Sequence, residues 1–531
     1  MNVHPKYPIG MQSFSRLREA GSLYIDKTEF FYKLFSLAKY IFLGRPRRFG
    51  KSLFLSTLES YFKGEREYFK GLKVAERETE WIKYPVIHLD MSSAGGAVSG
   101  SLRKNFQALL QTCASDYGED LSAYPGDESF KFGLLIKRLA EKTGQPVAVL
   151  IDEYDVPIHG VDPESDIYRE NQSMLRELFM QCKSYDAYIK FCMVTGVTRF
   201  NQMNLFSGPN NFKDISMDER FATICGFTHE ELTAYCREGI EEFASVMNVT
   251  TDSILDSLTK YYDGYRFTAR DVKVFNPLSV MMSLSDYKLE AYWVSTGLTS
   301  VFVSQLMNPT FQLPEITDTW YDSQSLTKIY DMEDPISLMF QSGYLTISEY
   351  DRELDMYKMQ VPNQEVMRSL TQDLIPAYMG KKEDSQNMQL VQLRLALMRG
   401  DVDRLMDILK TILSRIAYHL FPKDSEPLIQ KEHYYHTVVY LIFMMLRSNV
   451  LCELAGSKGR SDLVAQTDRY VYIFEFKIDN ASDGNIAAAF RQIEERGYAT
   501  RFKYTGRKIY GIAVIFSVED HDIADWAMRE Y

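Results

Sequence analysis

The sequence predicts an α/β protein of several domains: a doubly wound parallel sheet with phosphate chemistry at one edge, a helical segment, a small middle module and a C-terminal α/β domain. Three observations predict it. The apolar run Tyr40–Leu43 breaks into Gly44-Arg-Pro-Arg-Arg-Phe-Gly-Lys-Ser52 and resumes as a helical pattern over 52–58. The run Val147–Ile151 ends on two carboxylates, Asp152 and Glu153. Far downstream, Arg460 to Lys477 reads as two strands joined by a polar turn and carries Asp462, Glu475 and Lys477. At 531 residues the chain is too long for one hydrophobic core.

In chain order, Met11 to Lys39 reads as helical, with Asp26 as an N-cap for the apolar-spaced run after it. It could close over a nucleotide base or serve packing alone. Tyr40–Leu43 is a buried strand, and the loop after it offers its backbone N–H groups, with those of the following helix, to a di- or triphosphate. Lys51 would reach the β/γ-phosphates and the Ser52 hydroxyl would complete a Mg²⁺ shell. The spacing departs from Gly-x₄-Gly-Lys-Ser, because Arg45 occupies the first glycine position and Gly44 falls one residue early. Taken alone, Gly50-Lys51-Ser52 could equally be a basic surface turn. Arg45, Arg47 and Arg48 could meet phosphate charge within one chain, act between the chains of a homo-oligomer, or merely raise affinity for the triphosphate.

Val86–Asp90 is a second strand, whose His88 reads as a packed or edge residue, and Leu102–Cys113 and Phe130–Glu141 read as helices. Val147–Asp152 is a buried parallel strand whose C-terminal end enters a crevice. Asp152 would hold the water shell of Mg²⁺, and Glu153 would orient or deprotonate the attacking water; two acids at a strand tip also occur for structural reasons. Phe191–Gly196 is a further strand, where Thr195 could sense the γ-phosphate or the water and Arg199 could meet developing charge. Ala222–Cys225 is the fifth candidate strand, which closes a core over 1–227.

From Thr228, which forms a capping box with Glu231, the chain turns helical to about Leu284. Arg266 there could approach the phosphates, or Gly264 could simply make a turn packed by aromatics. Over 285–421 the pattern is least informative: Leu338–Ile347 has a helix-turn-strand character and Asp351–Met359 a second strand, as in a winged-helix-like module. Pro422 to Pro427 marks the next boundary, followed by the apolar helix Glu432–Arg447, whose His433 and His436 share an i,i+3 spacing without a third ligand nearby.

Within the final segment, 422–531, a turn centred between Thr467 and Asp468 would put Asp462 opposite Ile473 and diagonal to Glu475. Two carboxylates could then share a metal ion with Lys477 beside them to orient a hydroxide. An exposed hairpin face carrying a Glu/Lys pair is the plain alternative. Glu453 could add a carboxylate from a neighbouring strand. The predicted helix Asn485–Gly497 carries Gln492, and a basic run continues through Arg491, Arg496, Arg501, Lys503, Arg507 and Lys508. With a formal charge of −12, the chain is no general nucleic-acid wrapper, so any contact with DNA falls to a local patch, here Arg491 to Lys508. Six scattered cysteines lack metal-ligand spacing and read as buried thiols. Residues 1–10 lack the apolar core of a signal peptide, and the longest apolar run, Val438–Leu446, has nine residues, half a membrane span. The expectation is a cytoplasmic protein with no membrane segment.

Arg45-Pro-Arg-Arg-Phe-Gly-Lys-Ser-Leu53, preceded by Tyr24-Ile-Asp-Lys-Thr28 and followed by Leu150-Ile-Asp-Glu-Tyr-Asp155, resembles the AAA-ATPase-like family of bacterial proteins, whose members commonly carry a C-terminal PD-(D/E)XK nuclease-like domain. Tyr262-Asp-Gly-Tyr-Arg-Phe267, Asn276-Pro-Leu-Ser279, Gly343-Tyr-Leu-Thr-Ile347 and Pro362-Asn-Gln-Glu-Val366 extend the resemblance over most of the chain, and the shifted glycine is usual in that family. Gly459-Arg-Ser-Asp462, Glu475-Phe-Lys477, Gln492-Ile493 and Tyr498 are similar to the nuclease-like domain. The resemblance implies a P-loop NTPase core with 228–284 as its lid. It also implies metal and catalytic roles for Asp462, Glu475 and Lys477, and supporting roles for Glu453 and Gln492, with Glu432 a substitute for Glu453. The expected function is an ATPase using Mg²⁺, coupled to a Mg²⁺- or Mn²⁺-dependent nuclease acting on DNA, in restraint of mobile elements. A nucleotide-dependent switch or scaffold that binds without cleaving is the alternative from another class.

Overall fold

Tyr40–Gly44 (β1) is buried at every position and sits inside a five-stranded sheet with Val86–Asp90 (β2), Val147–Asp152 (β3), Ile189–Gly196 (β4) and Lys213–Asp214 (β5). The structure is a computed structural model. It describes residues 7–159, 161–162, 164–199, 212–293, 319–327, 336–370, 385–414, 435–436, 438–440, 442–443, 446, 451–453, 462–479, 485–520 and 522–531. The strand order is β2-β3-β4-β1-β5 and every pairing is parallel. Strands covered on both faces need apolar side chains at consecutive positions, which is why the three inner strands, β3, β4 and β1, read as apolar runs.

The fifth strand is a correction. Ala222–Cys225 does not join the sheet; it is a buried turn after the 3₁₀ turn Glu219–Phe221, and the N–H of Gly226 donates to the carbonyl of Phe49. Burial alone produced its apolar pattern, and periodicity cannot separate a short buried turn from a short strand. The N-terminal stretch is also corrected. It holds two short helices, Phe14–Glu19 (α1) and Phe30–Leu37 (α2), rather than one. Asp26 caps neither: its Oδ1 accepts from the N–H and hydroxyl of Thr28, and its Oδ2 from the N–H of Lys73 at 2.7 Å, so it staples two distant segments.

Lys51–Phe62 (α3), Ser101–Ser115 (α4), Glu128–Thr143 (α5) and Asp166–Ser184 (α6) complete the core, where Phe106, Phe132, Leu135 and Leu178 pack with Ile87, Val149 and Val194. His229–Tyr235 (α7), Arg237–Met247 (α8), Thr251–Tyr262 (α9) and Pro277–Asp286 (α10) share a second core built on Leu232, Phe243, Leu258 and Val280. Both halves of the Thr228/Glu231 capping box are present. Trp320–Asp322 (β6), Thr346–Asp351 (β7) and Met356–Gln360 (β8) form an antiparallel sheet in the order β6-β8-β7, with the helix Ile336–Ser342 leading through Gly343 towards β7.

The chain forms two compact units, one of Met1–Thr296 with Trp320–Glu365, the other of Gly297–Thr319 with Val366–Tyr531, so that the stretch 285–421 is divided between them. In the second unit, Leu451–Glu453 (β9), Leu463–Gln466 (β10), Tyr470–Ile478 (β11), Lys508–Ser517 (β12) and Asp522–Glu530 (β13) make a mixed sheet in the order β13-β12-β11-β10-β9. Only β11 and β12 are parallel neighbours, and the helix Ile486–Glu495 connects them. Residues 435–436, 438–440 and 442–443 are helical. Pro422–Pro427, Glu432, His433 and 459–461 lie outside the described residues.

Candidate nucleotide and nuclease-like sites

The loop from β1 to α3 turns on Gly50, whose φ of 90° is a backbone state that a side chain disfavours. The next residue, Lys51, is only 4% exposed, and its Nζ donates to the carbonyls of Arg45 and Pro46 at 3.0 and 3.1 Å. Burial lowers its pKa, against the pull of the Asp152 and Glu153 carboxylates. Asp152 ends β3 and Glu153 follows it. Thr195, on the adjoining strand, donates its hydroxyl to Asp152 Oδ1, which also accepts the N–H of Glu153. Glu153 has a φ of 48°, a strained conformation for a residue with a side chain. Burial pushes its carboxyl pKa up, opposed by Lys51.

Asp155, whose part the sequence reading missed, fixes the neighbouring loop. Its Oδ2 accepts from the N–H groups of Val197 and Thr198 and from the Thr198 hydroxyl, and Gly196 leaves room because a Cβ there would lie 2.8 Å from Asp155 Oδ1.

Arg48, Gly50, Lys51, Ser52 and Glu153 line a cavity of about 420 Å³ whose other walls include Tyr24, Ile25, Ile224, Leu278 and Met281. Cationic and aliphatic side chains share this lining, which suits a ligand with both a charged and an apolar part. Lys27 also faces this cavity. Its Nζ donates to both oxygens of Glu231, at 2.6 and 2.7 Å, and to the Thr223 carbonyl, tying the start of α7 to the N-terminal segment. Burial lowers the pKa of Lys27, with Glu231 opposing. The capping box gave the signal for Glu231; no spacing pointed to Lys27 as its partner.

Three arginines expected at the phosphates have other work. Arg45 is 2% exposed, donates to the carbonyls of Gly44, Ser216 and Phe221, and stacks over the Phe267 ring at 4.5 Å. Arg199 pairs through Nε with Asp214 Oδ2 at 3.2 Å, while its N–H donates to Gln341 Oε1. The Arg266 guanidinium donates to the carbonyls of Thr268, Ala269 and Ser348 and contacts Asp271. None of the three lines the cavity. A buried guanidinium has five donors to satisfy; backbone carbonyls take most of those of Arg45 and Arg266, and the Asp214 carboxylate faces Arg199.

In the second unit the hairpin register differs from expectation. Leu463 pairs with Phe474 and Val464 with Ile473, so the turn centres on Asp468 and Arg469. Thr467 causes the shift, since its Oγ1 accepts the N–H of Tyr470 and its own N–H donates to the Tyr470 carbonyl. Asp462 therefore sits one step beyond the 463–474 pair, level with Glu475 rather than Ile473, and its Oδ2 accepts the N–H of Phe476 at 2.6 Å. Glu475 is fully buried and Lys477 is 8% exposed, with Nζ 3.7 Å from Glu475 Oε1. The exposed-face alternative thus fails: β10 and β12 flank β11, which is buried from Val471 to Ile478.

His436 is a further neighbour that the sequence reading left without a partner. Its Nε2 is 3.4 Å from Asp462 Oδ2 and its ring lies over Phe476 at 5.0 Å. On the helix side, Arg496 Nη1 donates to the Tyr498 hydroxyl at 3.3 Å. That hydrogen bond, with the charges of Glu475 and Asp462, raises the Arg496 pKa. The Tyr498 phenol is raised by burial and by Glu475, while hydrogen bonds from Arg496 and Gln492 lower it. Gln492, Arg496 and Tyr498 therefore gather near the two acids. Glu453 pairs through its backbone with Val464, and its side chain lies outside the described residues.

Asp462 and Glu475 offer hard oxygen donors suited to a divalent cation that keeps several waters. Among the described residues, however, no three of His, Cys, Asp or Glu gather into a group that could hold a metal, either at Ser52 and Asp152 or here. The basic run divides. Arg491 and Arg496 are exposed on the helix side, but Lys508 pairs with Tyr470, five residues back from Glu475, or about 16 Å along the strand. Arg507 donates to the Thr467 carbonyl and Lys508 faces Glu530 at 3.6 Å. No helix among the described residues is long and apolar enough to cross a membrane.

Comparison with known proteins identifies the two domains that carry these residues. A family model described as predicted AAA-ATPase matches residues 8–206, and one described as PD-(D/E)XK nuclease superfamily matches residues 430–526. The protein named "Uncharacterized protein in vnfD 5'region", from Azotobacter chroococcum mcd 1, is 31% identical over 537 residues, which span 99% of each chain. The chain belongs to the AAA-ATPase-like family, with an N-terminal AAA-ATPase-like domain and a C-terminal PD-(D/E)XK nuclease-like domain.

Proposed function

We propose that the first unit binds and hydrolyses ATP and that the second cleaves DNA, the first event governing the second. The observation that carries the ATPase reading is the convergence of Lys51, at the start of α3, and Glu153, just beyond the end of β3, on one cavity. Lys51 exchanges the carbonyls of Arg45 and Pro46 for phosphate oxygens, and the N–H groups at the start of α3 meet the same charge. Glu153, whose carboxyl pKa is raised by burial, orients the attacking water and takes its proton. Thr195 holds Asp152 in place, and Ser52 and Asp152 would hold Mg²⁺, which supplies charge neutralisation at the phosphates. Arg48 meets the phosphates from the exposed side of the loop; Arg45 and Arg199 support the loop and the sheet edge. Arg47 and Arg48 are the residues through which copies of the chain could meet.

In the second unit, Asp462 and Glu475, with Glu453, would hold Mg²⁺ or Mn²⁺, which polarises the phosphodiester. Lys477 orients the attacking hydroxide, Gln492 and Tyr498 keep the acids in register, and Arg491 and Arg496 contact the DNA backbone. A second reading, a nucleotide-dependent switch whose nuclease-like unit binds without cutting, has one observation in its favour: no group of three metal-ligating side chains gathers among the described residues.

One experiment separates the readings. Lys51→Ala should weaken ATP binding by about 10- to 100-fold, the worth of a charge-assisted hydrogen bond, and Glu153→Gln should bind ATP but not turn it over. With Mn²⁺ and plasmid or linear DNA, cleavage by the wild type that Asp462→Ala abolishes supports the nuclease. ATP turnover without cleavage of either DNA favours the switch.

A further inference from the structure

We infer that the free edge of β13 is an interface at which two copies of this chain pair, strand to strand, about a two-fold axis through Ala527. β13 ends the sheet of the second unit, and among the described residues no strand pairs with its outer edge. The direction of its backbone groups follows from the ladder with β12. The Tyr531 N–H donates to the Ile509 carbonyl, so alternation gives the inward-facing groups to Arg529, Ala527 and Asp525 as well. The N–H and C=O groups of Trp526, Met528 and Glu530 then face away from β12. In keeping with this, the Trp526 N–H donates to Asp525 Oδ1 of its own strand at 2.8 Å, and the Met528 side chain is 43% exposed. An open strand edge is a template for a further strand.

The residues of this edge are complementary to themselves. Antiparallel pairing about Ala527 sets Asp525 of each copy opposite Arg529 of the other, and Trp526 opposite Met528. Trp526 and Met528 would exchange both backbone hydrogen bonds, and their side chains would bring a thioether to an indole ring. Asp525 with Arg529, and Ala527 with its own copy, are the intervening pairs, where the two backbones lie closest and a methyl group fits the axis. Moving the axis by one residue sets either Asp525 or Arg529 against Ala527 and loses both charge pairs. Arg529 is already held for this use: its guanidinium lies over the Phe490 ring at 4.2 Å and donates to Glu494 at 2.7 Å, with half of the side chain still exposed. The register shift where β13 passes Ile515 and Phe516 bends the strand before Asp525 and limits the pairing to the segment after it. The two five-stranded sheets become one continuous sheet.

Sedimentation equilibrium of the full chain, without nucleotide or DNA, tests the interface. The wild type should approach twice the chain mass as concentration rises. Asp525→Arg and Arg529→Asp each set like charges opposite one another, so each variant alone should keep the mass of one chain. Mixed, the two variants are complementary again and should form a one-to-one dimer. Met528→Pro removes an outward N–H without touching the ladder to β12 and should also stay at the mass of one chain. Melting temperatures check that every variant is folded. A wild type that remains a single chain up to its solubility overturns the inference, as do folded variants that still dimerise on their own. Charge variants that are single chains apart and stay so when mixed overturn the register about Ala527.

Discussion

At the scale of single residues, the first unit has a buried acid that neither candidate chemistry uses. Glu365 is fully buried, and its Oε1 accepts both the Ser279 hydroxyl and the Trp293 N–H at 2.8 Å. Burial pushes its carboxyl up to about 7, against those hydrogen bonds. The folded state therefore holds the proton more tightly than the unfolded chain, whose glutamate titrates near its ordinary value. The resulting stability is fully present below that ordinary value and is lost as pH rises through about 7. The size of the shift makes the loss about 3 kcal/mol. Glu365→Gln keeps an acceptor for Ser279 and Trp293 and has no proton to lose. Its melting temperature should match the wild type near pH 4 and exceed it progressively up to about pH 7.5. A gap between the two proteins that is the same at every pH would exclude the titration of Glu365 as its source. The neighbouring arginines show why charge is a poor guide to role at this scale. In the sequence Arg45, Arg199 and Arg266 differ little from Arg48, yet only Arg48 lines the cavity; burial, which the sequence does not display residue by residue, assigned the others to carbonyls and to Asp214.

At the scale of elements, the inner parallel strands were the easiest to read, because cover on both faces makes β1, β3 and β4 from Phe191 onward nearly continuous apolar runs. β5 was illegible for the opposite reason: Lys213 and Asp214 belong to the sheet through backbone hydrogen bonds to β1 alone, which leave no trace in side-chain chemistry. The hairpin of the nuclease-like site lay between these cases. Both strands were visible, but the register depended on one hydroxyl, Thr467 Oγ1, and its two-residue shift brought Asp462 level with Glu475. His436 and Lys27 went unread because their partners are 26 and 204 residues away, with no periodicity linking them. The start of α7 turns this into a measurable contrast. Thr228 and Glu231 belong to one capping box, so equal effects would be expected if the box were all they did. Thr228→Ala should cost about 1 kcal/mol, the usual worth of a cap. Glu231→Ala should cost about 3 kcal/mol, because it also strands the buried Lys27 ammonium without its counter-charge. Denaturant midpoints of the two variants decide the matter, and equal losses would reduce the Lys27 pair to an incidental contact.

At the scale of the whole molecule, the 31% identity with the Azotobacter chroococcum mcd 1 protein is measured over 99% of each chain and so spans both units. Two independent activities would need no common chain; an ATP-governed nuclease does, because the coupling free energy must pass through covalent and packed structure. Thermodynamic linkage gives that coupling a strict form. If ATP changes the affinity for DNA by some factor, DNA must change the affinity for ATP by the same factor, typically about 5- to 150-fold where coupling exists. The measurement needs a chain that does not cut, so Asp462→Ala is the starting protein. Its affinity for a short duplex should be measured with and without a non-hydrolysable ATP analogue, and its affinity for the analogue with and without the duplex. Equal factors, both different from one and both lost in Asp462→Ala combined with Lys51→Ala, are the expected result. DNA affinity should also fall steeply with salt, because in a chain of net charge −12 the contact depends on a few local cations such as Arg491 and Arg496. The comparison must therefore be made at one ionic strength. A factor of one in both directions, with each ligand still binding, would mean that the units act independently, and the restraint on DNA cutting would have to lie within the second unit.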